Sequence, residues 1–321
     1  MPKKYSIYPI FSHDRKNIVK VCNIANEQNL KRLHIEYKVG VRICHYGIRR
    51  PIEQTTYEGK SAILLEWTDG YPLSQVISNG TFSVKDFIHI ARDIVSALLA
   101  MHENYITHTN LTCDHIIYNP STNSIKLIGF GSSVRFDVDG EKKSISSQDL
   151  LEKDLHYISP EMGSMVKQYF DLRSDLYSLG AVFYKMLTGK YPMHDKDKMK
   201  LIFLHLLQEP IPVQHHDSTI PLVLSQMISK LLKKNLDERY QTAKGLIYDL
   251  DMMMAEYDSD KTLKDVILGV NDNSSQLCLS DRLYDRSDNY DTLCSALNNI
   301  SFDAKEVIFV SGGSGTGKGY F

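Results

Sequence analysis

The sequence is poor in the residues that hold small secreted proteins together or bind structural metals. Its 321 residues include five cysteines, and no two of them form a Cys-x-x-Cys pair. An odd and scattered set of cysteines argues against a disulfide framework and against a zinc site. Such cysteine usage is typical of a reducing compartment, so we expect a cytoplasmic protein.

Long apolar runs and an excess of one charge are also missing. The longest apolar runs, such as Ile94–Met101, are far shorter than the roughly 18 residues that a membrane helix needs. Lysine and arginine total 37, aspartate and glutamate total 39, and the net charge is -2. We therefore expect neither a membrane nor nucleic acid as a partner. The apolar fraction of 42% is enough for an ordinary globular core.

Hydrophobic patterning divides most of the chain into a strand-rich part followed by a helical part. In the first part, residues 5–22 have strand character and Asn26 can cap a helix over 26–38. Further strands are predicted at Val41–Tyr46 and Ser61–Trp67. This part therefore contains several strands and one helix.

The second part has helical spacing of its apolar residues. Ser83 can cap a long helix with the apolar stripe Phe87–Met101. Two short strands, Ile116–Tyr118 and Ile125–Ile128, precede a long loop over 129–158. Further helices are predicted from Ser174 or Asp175 to Leu187, closed by Gly189, and over 197–208, 220–234 and 242–256.

The composition changes after residue 257. Residues 258–304 are rich in Asp, Asn and Ser, which is typical of a linker, and a short helix is predicted at 290–299. An apolar strand, Glu306–Val310, then leads into a glycine-rich loop of the phosphate-binding type. The position that holds a magnesium-binding Ser or Thr in such loops is Gly319. The candidate nucleotide-binding residues of this loop are Gly312, Gly317 and Lys318.

Several short motifs follow one another in the first 257 residues. Lys20, in the strand Ile18-Val19-Lys20-Val21, precedes Glu36 on the next predicted helix. His108-Thr109-Asn110 is followed five residues later by His115, and Gly129-Phe130-Gly131 comes next. The later motifs are Ser159-Pro160-Glu161, the helix start Asp175-Leu176-Tyr177-Ser178-Leu179-Gly180, and Arg239.

These motifs resemble those of protein kinases, where V-A-I-K and its glutamate, H-R-D-x-x-x-x-N, D-F-G and A-P-E occur in this order. The resemblance implies a bilobal α+β fold, with a reduced strand-rich N-lobe at 1–68 and a helical C-lobe at 69–257. It identifies Glu161, Asp175 and Arg239 as structural residues, with Arg239 paired to Glu161.

The groups that perform phosphoryl transfer in this family are replaced. Asn110 stands at the catalytic aspartate, and a carboxamide cannot accept the substrate proton. The two magnesium positions are Gly129, which has no side chain, and His115, whose imidazole suits zinc or copper better than magnesium. No glycine precedes Gly40, so the glycine-rich loop cannot precede Lys20. We expect no active catalytic residue and no magnesium in this domain.

A narrower resemblance concerns Tyr157–Glu161, Arg173–Gly180 and Met186–Gly189. These stretches are similar to the kinase-like domain at the front of hybrid sensor histidine kinases of fungal or bacterial type, in which an AAA-like P-loop ATPase follows. Residues 305–321 would then be the truncated start of that ATPase. The resemblance implies an N-terminal piece of a longer, ATP-dependent histidine kinase, whose partners are its own downstream domains and phosphorelay proteins.

The main prediction is a catalytically degenerate Ser/Thr-protein-kinase-like regulatory module of a phosphorelay. One alternative is an active, atypical Ser/Thr protein kinase that binds its metal through another carboxylate, with Asp114 as the candidate. A second alternative is a nucleotide-sensing module that binds ATP without phosphotransfer. Lys20 and Glu36 could bind a nucleotide or form a purely structural ion pair, so ATP remains a candidate cofactor.

Overall fold

The computed structural model describes residues 4–12, 15–136, 150, 153–163, 170–260, 263 and 266–272, and the structural statements below concern these residues. The predicted helix at 290–299, the predicted strand Glu306–Val310 and the glycine-rich loop lie outside them. The described residues form a strand-rich N-lobe and a helical C-lobe, which agrees with the predicted α+β class.

The N-lobe is built on a four-stranded antiparallel sheet. In chain order its strands are β1 (Tyr5–Ser12), β2 (Arg15–Cys22), β3 (Pro51–Tyr57) and β4 (Lys60–Glu66). In space the order is β1–β2–β4–β3, so β2 has a partner on each side. Lys20 on β2 lies opposite Ile7 of β1 and Ile63 of β4. Strand alternation directs Lys20 to one face of the sheet and Val19 to the other.

One helix, α1 (Glu27–Arg42), packs against this sheet. Its N-terminus is capped as predicted, because the Asn26 side chain accepts a hydrogen bond from the Asn29 N–H at 2.8 Å. Leu33 and Glu36 lie one turn apart on its buried face. The Glu36 carboxylate on this helix therefore faces the sheet.

The predicted strand Val41–Tyr46 is wrong. Helix α1 continues to Arg42, and Gly40 lies so close to Pro51 that a Cβ atom on the glycine would sit 2.4 Å from the proline Cδ. The strand forms instead at β3, where the exposed Glu53 and Gln54 obscure the apolar alternation. The end of the helix therefore packs closely against the start of β3.

Helices build the C-lobe. They are α2 (Leu73–Ser78), α3 (Val84–His102), α4 (Pro160–Gly163), α5 (Arg173–Thr188), α6 (Lys198–Leu207), α7 (Leu222–Leu231) and α8 (Ala243–Asp260). The longer helices agree with the predicted ones. The Ser83 side chain caps α3, and α5 is buried along most of its length before it ends at Gly189, whose φ is +70°.

Short strands lie between these helices. They are β5 (Tyr71–Pro72), β6 (Ile106–Thr107), β7 (Ile116–Asn119), β8 (Ser124–Leu127) and β9 (Val134–Arg135). Strands β5, β7 and β8 form one small sheet, and β6 pairs with β9. The predicted strands at Ile116–Tyr118 and Ile125–Ile128 are confirmed as β7 and β8. The predicted loop over 129–158 contains β9 and short 3-10 turns at Phe130–Ser132 and Leu155–Tyr157.

The main hydrophobic core runs through the C-lobe. Side chains of α3, α5, α7 and α8 fill it, with Phe87 and Phe183 meeting edge to face at 5.3 Å. Helix α8 passes the predicted linker start at residue 258 and ends at Asp260. The domain boundaries remain predictions. None of the described helices is both long and apolar enough to span a membrane.

Candidate functional site

A buried ion pair joins β2 to α1. The Lys20 Nζ atom donates to Glu36 Oε2 at 2.5 Å, and Arg49 Nη2 lies 3.9 Å from the other carboxylate oxygen. Glu36 is 3% exposed. Burial alone would raise the pKa of Glu36, but the charge and hydrogen bond of Lys20, with the charge of Arg49, hold this pKa below its usual value. The two predicted residues are therefore together, and Glu36 is ionised.

Tyr5 contacts the same lysine from β1. Its ring centroid lies 4.8 Å from Lys20 Nζ, and its hydroxyl donates to the Asn29 carbonyl on α1 at 2.8 Å. An aromatic face and a carboxylate thus hold the Lys20 ammonium. Sequence patterning identified neither Tyr5 nor Arg49 as a partner of this pair, because both contacts depend on how α1 docks on the sheet.

The loop His108-Thr109-Asn110 is anchored to α5 by a buried carboxylate. The backbone N–H groups of His108 and Thr109 donate to Asp175 at 2.7 and 2.9 Å, and His102 Nε2 lies 3.1 Å from it. Burial would raise the pKa of Asp175, but the hydrogen bonds and charges of His102 and His108 together hold this pKa below its usual value. Thr109 has a φ of +59°. Asp175 therefore holds this loop in a strained backbone conformation.

His115 turns back onto the loop that precedes it. Its Nδ1 atom lies 2.7 Å from the Asn110 carbonyl oxygen and 3.1 Å from Thr112 Oγ1. Since a carbonyl oxygen only accepts, Nδ1 carries the hydrogen. Burial, with the neighbouring charge of His108, lowers the pKa of His115 to about 4, so the imidazole is neutral at pH 7.

The ring of His115 fills the space beside Gly129. The glycine has a φ of +82°, and a Cβ atom on it would lie 2.3 Å from His115 Cδ2 and 2.8 Å from Nε2. Both distances are shorter than real Cβ contacts. One neutral imidazole therefore occupies the space between the two positions at which the resemblance implies magnesium ligands.

The side chains of Gly129 and His115 differ from the oxygen-bearing side chains that bind magnesium in protein kinases. This cation requires oxygen ligands in near-octahedral geometry, and Gly129 and His115 supply none from their side chains. Asp114, the substitute carboxylate considered from the sequence, accepts a hydrogen bond from the Ser74 hydroxyl on α2. In the part of the chain that the structure describes, no group of three or more His, Cys, Asp or Glu side chains is placed to hold a metal ion.

A lysine that the sequence analysis missed contacts the same loop. The Lys153 Nζ atom donates to the Thr109 carbonyl oxygen at 2.7 Å and lies 3.1 Å from its hydroxyl. A small cavity beside Asn110 is lined by Lys153 and Asp154. Because residues 129–158 have no period and were predicted as loop, nothing in the local pattern indicated this contact.

The predicted structural pair, Arg239 and Glu161, is buried in the C-lobe. Arg239 donates to both carboxylate oxygens of Glu161, at 2.9 and 2.8 Å, and the Ser174 hydroxyl donates to one of them at 2.6 Å. Arg239 is 1% exposed. Burial would raise the pKa of Glu161, but Arg239 holds it below the usual value. The remaining predicted site residues, Gly312, Gly317 and Lys318, lie outside the described residues.

Comparison with known proteins gives one family match. The model of the protein kinase domain matches residues 7–249, which is more than half of the chain. The match spans both lobes and includes the site residues from Lys20 to Arg239, whereas Tyr5 lies before it.

Individual relatives include kinases of two kinds. A segment of 183 residues is 34% identical to hybrid signal transduction histidine kinase G of Dictyostelium discoideum, over 51% of this chain and 5% of that protein. A segment of 227 residues is 27% identical to a "probable serine/threonine-protein kinase" of Clostridium perfringens, over 70% of this chain and 32% of that protein. Serine/threonine-protein kinase PknB of Mycobacterium leprae is 31% identical over 59% of this chain and 29% of its own length. The matched segments cover less than a third of each of these three relatives.

Proposed function

The chain belongs to the protein kinase family, and from that premise we propose that its kinase-like domain is a catalytically degenerate regulatory module of a signalling histidine kinase. Such a module acts through its surface and conformation rather than by transferring phosphate. The parent protein would be the enzyme, an ATP-dependent histidine kinase whose phosphoacceptor lies elsewhere.

One observation carries the proposal, the packing of His115 against Gly129. Phosphoryl transfer depends on positioning and on neutralising phosphate charge with metal ions. Here the position of the metal-binding aspartate has no side chain, and the space for one is taken, since a Cβ atom would lie 2.3 Å from the imidazole. A catalytic metal would have to displace a buried ring that is hydrogen-bonded to Asn110.

The missing base supports the same conclusion. Asn110 stands where the family has the aspartate that accepts the substrate proton, and a carboxamide has no basic oxygen for this step. The Lys153 ammonium bonds to the preceding residue, Thr109. A cation at this place does not replace a carboxylate base.

ATP and magnesium are the usual ligands of protein kinases, so membership in the family suggests an ATP site. Lys20 is the described residue that would contact the phosphates, because it is held by Glu36 at the position of the family lysine. Because Gly129 and His115 offer no side-chain oxygen for magnesium, we expect this domain to bind ATP without the metal. A nucleotide-sensing role follows if such binding occurs.

The parent protein and the partners are also part of the proposal. The similarity to a Dictyostelium hybrid histidine kinase covers 5% of that protein, which leaves room for long flanking regions. We propose that a P-loop ATPase follows residue 304 and that downstream domains and phosphorelay proteins in the cytoplasm are the partners. The sequence Gly312–Lys318 supports this assignment.

An active Ser/Thr kinase is the second candidate. It is favoured by the intact Lys20–Glu36 ion pair, which active kinases need, and by similarity to PknB. This candidate requires a magnesium ligand other than residues 115 and 129. It predicts phosphotransfer that depends on magnesium.

The test is transfer of labelled phosphate from ATP to the chain itself and to a generic Ser/Thr substrate, with and without magnesium. The Lys20→Ala variant is the matched control, since it removes the phosphate-contacting cation. We expect no protein phosphorylation above the level of the variant. Magnesium-dependent labelling that disappears in Lys20→Ala would overturn the proposal in favour of the active kinase.

A further inference from the structure

The chain folds back on the C-lobe beyond the region that matches the family. The match ends at residue 249, whereas α8 continues to Asp260, and residues 266–272 lie against the lobe. We call residues 266–272 the strap. Val266 and Leu268 of the strap pack against the main core.

The end of the strap completes the N-terminus of α8. The Asp272 carboxylate accepts from the Gln241 and Thr242 N–H groups at 2.7 and 2.9 Å, and from the Thr242 hydroxyl at 3.1 Å. The same hydroxyl oxygen accepts the Gly245 N–H at 2.9 Å, so Thr242 is the N-terminal cap of the helix. Asp272 therefore orients this cap and places a negative charge at the positive end of α8, from thirty residues downstream.

A second anchor lies in the middle of the strap. The Gly269 N–H donates to Asp249 Oδ2 at 2.8 Å, and the Tyr240 hydroxyl donates to the same oxygen at 2.5 Å. The Asp249 side chain is fully buried. The strap thus supplies one of the donors that this buried carboxylate needs.

Two glycines, Gly245 on α8 and Gly269 in the strap, lie where the strap contacts the lobe closely. A Cβ atom on Gly245 would lie 2.4 Å from Asp272 Oδ1. Gly269 has a φ of +77°, and a Cβ atom there would lie 2.2 Å from Lys230 Nζ. A side chain at Gly245 would also meet the Asp272 backbone at 2.6 Å and so disturb the anchor. At Gly269 the cost would come mainly from the positive φ, because the Lys230 ammonium is the end of a flexible side chain.

The strap is held by polar anchors more than by apolar burial. Ile267 and Val270 are 75% and 58% exposed, so only Val266 and Leu268 contribute to the core. Segments with few buried apolar contacts open locally at low free energy. We propose that the strap is a latch: closed, it completes the cap of α8, and opened, it frees residues 266–272 while the core stays folded. A force or partner acting after residue 272 would act directly on the first turn of α8.

Hydrogen exchange of the full 321-residue chain tests the latch at single amides. In Asp272→Ala the Gln241 and Thr242 amides should exchange about two- to thirty-fold faster, which corresponds to the loss of a helix cap. Amides in the middle of α5 should keep their rates. The matched control is Asp258→Ala, which removes one charge from an exposed position of the same helix. Gly269→Ala, which perturbs the other anchor, should speed exchange of the same two amides.

A second test uses the protein without substitutions, so that a folding defect of a variant cannot affect the result. In low concentrations of urea, exchange of the Gly269 and Gln241 amides should depend weakly on denaturant, because latch opening exposes little surface. Core amides of α5 should depend on it steeply. The proposal is overturned if the latch amides exchange like an unfolded peptide, or if they share the denaturant dependence of the core. It is also overturned if Asp272→Ala and Asp258→Ala change the exchange of Gln241 equally.

Discussion

The imidazole of His115 and the backbone of Gly129 are packed so closely that only glycine fits at residue 129. A Cβ atom there would lie 2.3 Å from His115 Cδ2, and the glycine φ is +82°. A carboxylate cannot be restored at this position without moving the ring. Residues 115 and 129 are therefore coupled, so the proposed loss of the metal site would involve two positions together.

Replacement of Gly129 by alanine is expected to destabilise the protein by about 2–4 kcal/mol, from a left-handed backbone conformation and a steric clash together. Gly59→Ala is the matched control, because its φ is +75° and nothing lies within 4 Å of its Cβ position. The control should lose only the free energy that the left-handed backbone conformation costs an alanine. Urea unfolding measures the free energy of unfolding of both variants.

The coupling is tested by a double-mutant cycle with His115→Ala. Removal of the ring should make Gly129→Ala less costly by at least about 1 kcal/mol, since the clash is gone and only the backbone cost remains. Additive effects of the two substitutions would contradict direct packing of His115 on residue 129.

Loss of Lys20 is expected to leave Glu36 as a buried, poorly compensated charge. Removing one partner of a buried ion pair costs about 3–5 kcal/mol, and Arg49, at 3.9 Å from Glu36, should keep the cost of Lys20→Met near the low end. Adding Glu36→Gln should recover part of the stability. A double variant less stable than Lys20→Met would show that the pair is not the dominant interaction.

The free energy of unfolding should fall when the protein is acidified from pH 7 to 4.5. Burial, followed by the charge of His108, lowers the pKa of His115 from 6.5 to about 4, so the unfolded chain binds more protons in this window. The loss from this group is about 2–3 kcal/mol at pH 4.5. Glu36 and Glu161, whose pKa values are held low by cations, add to it as the pH falls further.

The pH effect is assigned by comparing unfolding at the two pH values in His115→Gln and in His215→Gln. The first variant should show a smaller difference than the unsubstituted protein, and the second, at an exposed histidine, should show the full difference. Equal pH dependence in both variants would mean that His115 is not the titrating group.

Breaking the pair between Arg239 and Glu161 should cost about 3–5 kcal/mol, because Glu161→Gln leaves a buried guanidinium without its counter-charge. Combining it with Arg239→Met should recover much of that loss. The surface pair of Lys200 with the partly exposed Asp195 serves as a control, and Asp195→Ala should lower the midpoint of urea unfolding much less than Glu161→Gln does. An equal effect of Glu161→Gln and Asp195→Ala would contradict the structural role.

Much of the fold could be predicted from the chain because its helices carry regular apolar stripes and recognisable caps. Asn26 and Ser83 cap α1 and α3 as expected. The strand predicted at Val41–Tyr46 was wrong because apolar residues at the end of a helix resemble a strand in sequence. The packing of the helix end against Pro51 is visible only in the structure. Strand β3 was missed because its exposed residues are polar.

The site was predictable where it follows the family motifs and unpredictable where it depends on packing. Lys20 and Glu36 were identified by resemblance to the kinase motifs, and so were Glu161 and Arg239. The contact of His115 with Gly129, the approach of Lys153 to Thr109 and the capping of α8 by Asp272 join residues that no local period connects. Such contacts require the three-dimensional arrangement.

The most direct test of a metal-free site is calorimetric titration of ATP into the chain with and without magnesium. The chain should carry Lys318→Ala, so that the glycine-rich loop near the C-terminus does not contribute. We expect magnesium to change the affinity less than about two-fold, because residues 115 and 129 offer no side-chain oxygen ligand. Binding that magnesium tightens tenfold or more, and that Lys20→Ala abolishes, would contradict it.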